Sequence, residues 1–228
     1  MSPSADTATK SDRTRARLRE VALESFRERG YDATTVRRIA SEAGVSVGVV
    51  NYHFASKSAL VQELYLDVQQ RHRDAAIPAM DSADDLIDRL AAVYRTGLDA
   101  LGPFHAHAAE FVAAAMAPAS DVNPLSAESA PARDITEALF ARAVAGADAA
   151  ATRMLPADIS DRLPAALFLG HLLLALFWAY DRSPDQERSR RLLTRGLGLL
   201  RLALPLLRLP LVRRPVRELL DLVAEVRS

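Results

Sequence analysis

Hydroxyl, amide and basic side chains are concentrated between residues 35 and 57, and these groups are suited to hydrogen bonds with phosphate oxygens and base edges. Residues with a hydroxyl, an imidazole or a positive charge are candidates for phosphate contacts. An amide and two valines are candidates for contacts with bases. The predicted contact residues are Thr35, Arg37, Arg38, Ser46, Val47, Gly48, Val49, Asn51, Tyr52, His53 and Lys57.

Several of these candidates have a second interpretation. Arg37 and Arg38 are as well suited to solvated or ion-paired positions, and His53 to a half-buried helix position. Lys57 could be an ordinary surface charge, although the first turn of a helix also attracts phosphate.

Small and apolar residues in the same stretch are spaced as in two short helices joined by a tight turn. Gly44 follows Ala40 by four residues, and Val50 follows Gly44 by six. Ala40 allows two helices to cross closely, Gly44 can adopt the positive φ that ends the first helix, and Val50 packs the second helix onto the core. Ser46 is a suitable N-cap for that second helix. The spacing predicts a helix-turn-helix, a motif that places its second helix in the major groove of DNA.

Residues 12–72 resemble the TetR family of bacterial transcriptional repressors. The resemblance is carried by Phe26, Gly30, Thr34, Thr35, Val36, Ile39, Ala40, Ala43, Gly44, Val45, Ser46, Gly48, Tyr52, Phe54, Ser56, Lys57 and Leu60. Asn51 departs from the family's pattern, in which tyrosine is commonest at this place. The phosphate contact is therefore left to Tyr52, and Asn51 becomes a candidate for pairing with adenine.

This resemblance implies an all-α protein with two domains. The N-terminal three-helix DNA-binding head would span residues 12–72, with the helix-turn-helix at 35–54. A larger helical body for ligand binding and dimerisation would span 73–228, and residues 1–11 are expected to form a disordered arm. The implied function is that of a repressor that a ligand releases from a palindromic operator.

Composition and charge agree with one DNA-binding end on a larger helical protein. Half of the 228 residues are hydrophobic, which is ample for a buried core. The net charge is zero, yet the first sixty residues hold ten lysines and arginines against seven aspartates and glutamates. Such an excess is expected where only one end of a protein meets phosphates. The absence of cysteine excludes disulfides and fits a cytoplasmic location.

Apolar periodicity predicts helices almost throughout the chain. They span about 12–29, 35–42, 46–53, 57–76, 83–101, 131–154, 160–181, 185–207 and 214–227, and a shorter one ends at Met116. Gly30 is predicted to end the first helix, and the fourth helix is predicted to end before Pro78. Gly102 and Pro103 are predicted to break the helical structure after the fifth helix. Residues 117–132 are predicted to form the long loop.

Residues 164–180, PAALFLGHLLLALFWAY, carry no formal charge, and the next predicted helix is also largely apolar. Helices that are apolar on more than one side need burial on more than one side. Pairing with the same two helices of a second copy satisfies this need, as in TetR-like proteins; a monomer core and a membrane anchor are the alternatives. The predicted dimer-interface residues are Leu167, Gly170, His171, Leu174, Trp178, Leu193, Gly196, Leu197 and Leu200.

Aromatic residues among many alanines in the middle of the chain are typical of an apolar ligand cavity, and equally of ordinary core. The predicted ligand-binding residues are Tyr94, Phe104, His107, Glu110, Phe111 and Phe140. His107 and Glu110 share a helix face, but the sequence places no third metal ligand beside them. Neither a metal nor a cofactor is predicted.

The predicted partners are double-stranded DNA with a palindromic operator, a second copy of the chain and an unidentified small apolar ligand, with no membrane. An enzyme is not expected, because a Gly-rich phosphate loop, a nucleophile elbow and a HExxH motif are all missing from the sequence. The competing hypothesis is a ligand- or protein-binding helical module without operator binding. Intact Tyr52, Phe54 and Lys57 argue against it.

Overall fold

A computed structural model describes residues 9–83, 85–117, 120–147 and 155–226, and all regular structure in these ranges is helical. The α-helices are α1 (Lys10–Ala33), α2 (Val36–Ala43), α3 (Val47–His53), α4 (Lys57–Asp81), α5 (Leu86–Leu101), α6 (Ala108–Ala115), α7 (Ala130–Ala145), α8 (Ala157–Ser160), α9 (Leu163–Ala179), α10 (Glu187–Ala203) and α11 (Pro210–Val226). Short 3-10 segments occupy Gly102–His107, Pro184–Gln186 and Leu204–Arg208. The all-α prediction is confirmed.

Helix α1 begins earlier than its apolar pattern indicates, because polar residues cap it. The Thr9 side chain accepts a hydrogen bond from the Asp12 N–H, and the Asp12 carboxylate accepts one from the Thr9 N–H. Lys10 and Ser11, expected in a disordered arm, therefore belong to the helix; the other residues of that arm, apart from Thr9, lie outside the described ranges. Near the other end, Gly30 leaves helical geometry at φ 79° and ψ −171°.

The head is held together by one apolar core between α1, α2, α3 and the start of α4. Phe26, Ile39, Val50 and Leu60 are completely buried in it. Burying a side chain of this size stabilises a fold by about 1.5–3 kcal/mol. The head core extends into the body, since Phe104 and Phe111 pack against it.

Helix α4 joins the head to the body and crosses the predicted boundary at residue 72. It was expected to end before Pro78, but it continues to Asp81. Proline lacks an N–H, so the Asp74 carbonyl, one turn earlier, has no helical partner. Because Pro78 and Asp74 are both exposed, water can solvate this carbonyl. His72, at the predicted boundary, is fully buried and donates from Nε2 to the Val93 carbonyl of α5 at 2.8 Å.

The body packs α4 against α5 and α7, α9 against α7, and α10 against α5. Arg89 lies almost fully buried where α4 and α7 end. Its guanidinium donates to the carbonyls of Met80 and Ala83 at 2.9 and 3.0 Å, and to those of Ala143 and Arg142 at 3.1 and 3.3 Å. One side chain thus satisfies orphan carbonyls at two helix C-termini.

The second half of the chain follows the predicted order with shifted ends. The predicted loop 117–132 ends at Ser129, because α7 starts at Ala130; the last part of the predicted helix 131–154, from 148 onward, lies outside the described residues. Asp181 sets the turn between α9 and α10. Its buried carboxylate accepts from the N–H and hydroxyl of both Ser183 and Ser189, at 2.6–3.0 Å.

Candidate DNA-binding surface and ligand cavity

The helix-turn-helix is built as its residue types predict. Thr35 caps α2 by accepting from the Arg38 N–H at 3.2 Å, and Ser46 caps α3 by accepting from the Val49 N–H at 3.4 Å. Between the helices, Gly44 adopts the left-handed conformation, with φ 69° and ψ 35°. With Val50 buried beneath it, α3 is left with one face free for contact.

Most of the predicted DNA-contact residues, on α2, on α3 and at the start of α4, are exposed. Thr35, Arg37, Arg38, Ser46, Val47, Gly48, Asn51 and Tyr52 are exposed, and Val49, His53 and Lys57 are half-buried. The Tyr52 side chain stands 80% exposed beside the ring of His53. A Cβ on Gly48 would meet only the Ser46 Oγ, at 3.7 Å, so a partner can approach the backbone closely there.

Charged residues of the head divide into free and paired groups. Among the described residues, Arg37 and Arg38 have no carboxylate within ion-pair distance, which leaves both guanidiniums available for phosphates. Arg15 on α1, by contrast, is paired with Glu63, and its guanidinium lies 4.9 Å from the ring centre of Phe54. Of the two alternatives for Arg37 and Arg38, the ion-paired one is therefore not what the structure shows, and the solvated one agrees with it.

Lys57 occupies the first turn of α4, as expected, but its ammonium already has a partner. Its Nζ lies 3.8 Å above the ring of Tyr31, a cation–π contact that the sequence did not indicate. Burial lowers the pKa of Lys57, and the charges of Asp32 and Glu110 oppose that shift. Any phosphate must therefore compete with Tyr31 for this lysine.

A cavity of about 440 Å³ opens in the body, between α4, α6, α7 and α9. This volume is in the range of small-molecule sites. Phe104, Phe111, Val112, Phe168 and Trp178 form its apolar wall. Its polar side chains, Gln69, Ser129, Arg133, Thr136 and His171 among them, lie mainly along α4 and α7.

Two of the six predicted ligand residues, Phe104 and Phe111, line this cavity, and four do not. Tyr94 and Phe140 are core residues whose rings pack against each other at 4.9 Å, and the Tyr94 hydroxyl donates to the Leu167 carbonyl. The aromatic pattern alone could not separate a cavity wall from the core behind it.

His107 and Glu110, the other two, contact the head. The Glu110 carboxylate accepts from the Asp32 N–H at 2.9 Å, and the His107 ring lies 3.0 Å from Glu110 and 3.1 Å from the Glu28 carbonyl. Burial would raise the pKa of Glu110, but the bonds from Asp32, His107 and Tyr31 lower it overall. These side chains hold the end of α1 against α6, and we call this contact the head–body clasp.

Most of the predicted dimer residues lie on the inner faces of their helices, packed within one chain. Leu167, His171, Leu174, Trp178, Leu193 and Leu197 are buried within one chain, Gly170 and Leu200 are half-buried, and Gly196 is exposed. Helix α9 is apolar all round, so its sequence pattern contains no signal for which face turns inward. The exposed large apolar side chains of these two helices are instead Leu173, Leu176, Phe177, Leu192, Leu199 and Leu202.

A metal site and a membrane span find no support in the described part of the chain. No group of three or more histidine, aspartate or glutamate side chains there could hold a metal ion. Among the described helices, none combines the length and the apolarity needed to cross a bilayer.

Two sequence families match the chain over separate ranges. "Bacterial regulatory proteins, tetR family" matches residues 18–64, and "Tetracyclin repressor-like, C-terminal domain" matches residues 89–225, more than half of the chain. The chain therefore belongs to the TetR family. Its helix-turn-helix lies inside the range that the regulatory-protein family matches.

Curated relatives match the chain over part of its length. The HTH-type transcriptional repressor KstR2 of Mycobacterium tuberculosis is 40% identical over 96 residues, which cover 40% of this chain and 46% of that protein. The regulator TtgR of Pseudomonas putida is 36% identical over 80 residues, 35% of this chain and 38% of that protein. The similarity thus spans about half the length of these relatives or less.

Solved structures show the same fold over most of the chain. A TetR-family regulator from Streptomyces coelicolor aligns with a TM-score of 0.60 and 21% identity, over 92% of this chain and 89% of that one. FadR of Thermus thermophilus, solved in complex with lauroyl-CoA, aligns with a TM-score of 0.59 and 23% identity, over 80% and 94%.

Proposed function

We propose that this protein is a homodimeric repressor that binds a palindromic operator and is released from it by a small apolar ligand. The exposed face of α3, with Val47, Gly48, Asn51 and Tyr52, is the observation that carries the DNA-binding part. Tyr52, Lys57 and the free Arg37 and Arg38 would bind phosphates, whereas Val47 and Asn51 would contact bases. A regulator of chromosomal genes acts in the cytoplasm, where we place this one.

We further propose that two copies pair through the exposed apolar face of α9 and α10. Leu173 and Phe177 on α9, with Leu192, Leu199 and Leu202 on α10, are between 44% and 74% exposed in a single chain. An apolar surface of this kind is typical of an interface. Two-fold pairing would place two α3 helices on one side of the dimer, and a separation of about 34 Å would suit successive major grooves.

The ligand would act by shifting the population between two head positions. Helix α6 is suited to this coupling because it faces both sites: Phe111 lines the cavity and packs its ring 5.8 Å from Phe26 and 5.9 Å from Tyr31 of the head. Helix α4, which runs from Lys57 into the cavity wall at Leu64 and Gln69, offers a second connection.

The test is selection from random duplex DNA at two salt concentrations, with Tyr52→Ala and Lys57→Ala as variants. Arg214→Ala, which removes an exposed positive charge from α11, is the matched control. We expect the wild type and the control to enrich one palindrome, with weaker binding at the higher salt and in both head variants. Without any enriched palindrome, the chain would be a helical binding module whose head does not recognise an operator.

Pairing is tested separately by sedimentation of Leu173→Glu and Leu199→Glu, with Leu211→Glu as the control. Leu211 is 90% exposed on α11, outside the proposed interface. We expect monomers from the first two variants and a dimer from the third. Dimers from all three would move the interface elsewhere.

A further inference from the structure

Lys57, which we expect to bind an operator phosphate, is attracted by three groups within the chain. Its Nζ lies 3.8 Å from the ring centre of Tyr31 at the end of α1, well inside the distance at which an aromatic face attracts a cation. The carboxylates of Asp32 and Glu110 attract the same ammonium, and their charges oppose the lowering of the Lys57 pKa by burial. The ammonium of Lys57 therefore lies beside the head–body clasp.

Helix α6 of the body fixes both the backbone and the ring of Tyr31. The Glu110 carboxylate accepts hydrogen bonds from the N–H groups of Tyr31 and Asp32, the second at 2.9 Å. The next residue, Phe111, packs edge-on against the Tyr31 ring, with ring centres 5.9 Å apart and planes inclined by 71°. Aromatic pairs prefer this geometry. Two successive residues of α6 thus determine where the ring that holds Lys57 lies.

The same helix also reaches the cavity. Phe111 and its neighbour Val112 both line it. The two residues differ in what else they contact, because Phe111 packs with the head core and Val112 with the body core. Phe111 therefore contacts the cavity and Tyr31 at once. A change in the position of α6 at the cavity would be transmitted to the Tyr31 ring.

We propose that Tyr31 is a positioning residue for DNA binding, whose ring competes with an operator phosphate for the ammonium of Lys57, and that α6 sets the strength of this competition. Lys57 then has two alternative partners, the Tyr31 ring in the free protein and a phosphate in the DNA complex. A cavity ligand that presses α6 toward α1 favours the ring and so releases the operator. This inference rests on the proposed repressor function.

The competition should reduce operator affinity, because only molecules in which Lys57 has left the ring are ready to bind the phosphate. Removal of the ring should therefore raise the affinity, whereas removal of a residue with a purely structural role would lower it. A cation–π contact of about 1 kcal/mol, as expected at a half-buried site, corresponds to about a fivefold change in affinity.

The test measures the affinity of the full-length chain for the palindrome selected from random duplexes, by fluorescence anisotropy. Tyr31→Leu keeps an apolar side chain against Phe111 but removes the aromatic face, and Tyr31→Phe keeps both. We expect about fivefold tighter binding for Tyr31→Leu, and an affinity within about twofold of the wild type for Tyr31→Phe. In a Lys57→Met background, Tyr31→Leu should leave the affinity unchanged, because no ammonium remains for the ring to hold.

Two substitutions in α6 test its part in the competition. Phe111→Leu removes the ring that supports Tyr31, so it should raise operator affinity in part and add nothing to the gain from Tyr31→Leu. Val112→Ala is the matched control, because Val112 also lines the cavity but packs with the body core. It should bind the operator as the wild type does. Equal effects of Phe111→Leu and Val112→Ala would overturn the role of α6.

Lysine NMR observes the contact itself, because the chain contains only two lysines, Lys10 and Lys57. With isotope-labelled lysine, Lys10→Arg identifies the signals of Lys57. The methylene next to Nζ lies near the face of the Tyr31 ring, so its proton signals should be shifted upfield in the wild type and in Tyr31→Phe, but not in Tyr31→Leu. Addition of the operator should remove this upfield shift.

Several outcomes would overturn the proposal. Weaker operator binding by Tyr31→Leu would mean that Tyr31 directs Lys57 toward the phosphate, and a gain that persists without Lys57 would mean that the effect bypasses this lysine. An upfield shift that persists in the DNA complex would exclude an exchange of partners. Equal affinity of the wild type and Tyr31→Leu for the operator would remove this inference alone. If no duplex is enriched, the repressor function fails, and this inference fails with it.

Discussion

Gly30 allows a sharp test of how the head is attached to the body. Its backbone, at φ 79° and ψ −171°, lies in a region that is essentially restricted to glycine. A Cβ on Gly30 would also lie 2.4 Å from Oε2 of Glu110 and 2.6 Å from Nδ1 of His107, inside the head–body clasp. Gly30→Ala therefore introduces backbone strain and displaces the clasp at the same time.

The expected cost follows from these two effects. An alanine in this region of φ and ψ costs about 1–3 kcal/mol. Moving the Glu110 carboxylate away from the Asp32 N–H loses a further ~1–2 kcal/mol, because that hydrogen bond involves a charged group in a half-buried position. We expect Gly30→Ala to lower the free energy of unfolding by about 3 kcal/mol.

Gly44→Ala is the matched control, since Gly44 also has a positive φ, 69°, but no atom lies within 4 Å of its added Cβ. This substitution carries only the left-handed backbone cost of about 1–2 kcal/mol. Both variants are measured by urea unfolding, followed by circular dichroism at one fixed protein concentration.

The decisive comparison repeats Gly30→Ala in a protein that already carries His107→Ala and Glu110→Ala. With the clasp side chains removed, only the backbone strain remains, and the cost should approach that of Gly44→Ala. An unchanged cost in this background would refute the reasoning that Gly30 accommodates the clasp.

Three further predictions concern single side chains. Lys57→Ala should weaken operator binding and reduce the slope of log affinity against log salt by about 1, because one phosphate contact is lost. The slope is measured by fluorescence anisotropy, and an unchanged slope would mean that Lys57 stays on the Tyr31 ring in the DNA complex. Arg89→Met should destabilise the protein by about 3 kcal/mol, because buried carbonyls at the ends of α4 and α7 lose their donor. Arg89→Lys should recover part of this loss. Equal thermal melting of Arg89→Met and the wild type would contradict the role of Arg89 in satisfying these carbonyls. Asp181→Asn should cost about 2 kcal/mol at neutral pH, since the carboxylate accepts four hydrogen bonds. Burial would raise the pKa of Asp181, but these bonds hold it well below its usual value, so the stabilisation is present above about pH 4 and is lost as pH falls below that. The difference between this variant and the wild type in urea should therefore shrink in acid, and a difference that grows would be inconsistent with an ionised Asp181.

The head could be predicted closely because its structure depends on residues near one another in sequence. Thr35, Gly44 and Ser46 act as caps and a turn within a few positions, and Val50 is the buried member of a helix with one apolar contact face. The role of each of these residues depends only on neighbours within a few positions, so their spacing in the sequence predicts where they lie in the folded head.

The clasp and the polar part of the cavity could not be predicted in the same way. His107 and Glu110 share a helix face, which the sequence indicates, but their partners are backbone groups of Glu28 and Asp32, 79 and 78 positions away. The pattern of a helix does not encode such distant backbone partners. Burial of His171 against Gly97 likewise depends on how α4, α5 and α9 meet.

The two sides of helix α9 have different surroundings, which a helix apolar all round does not reveal from its sequence. At about 100° per residue, His171, Ala175 and Trp178 fall on one side of the helix, and Leu173, Phe177 and Tyr180 fall on the opposite side. The first group faces the cavity and the second is exposed. If the exposed side pairs with a second copy, as proposed, α9 is the only layer between ligand and partner.

A ligand in the cavity that displaces α9 then acts on the cavity wall and on the proposed dimer interface through one helix. Packed interiors shift between discrete arrangements and do not deform continuously, so a displaced α9 would move the partner subunit as a whole. Under this arrangement Leu173→Glu, by abolishing pairing, should leave ligand binding in the cavity nearly unchanged but remove the ligand's effect on operator affinity. Operator release by the same ligand from a monomeric variant would instead place the coupling within one chain, through α6 and the clasp.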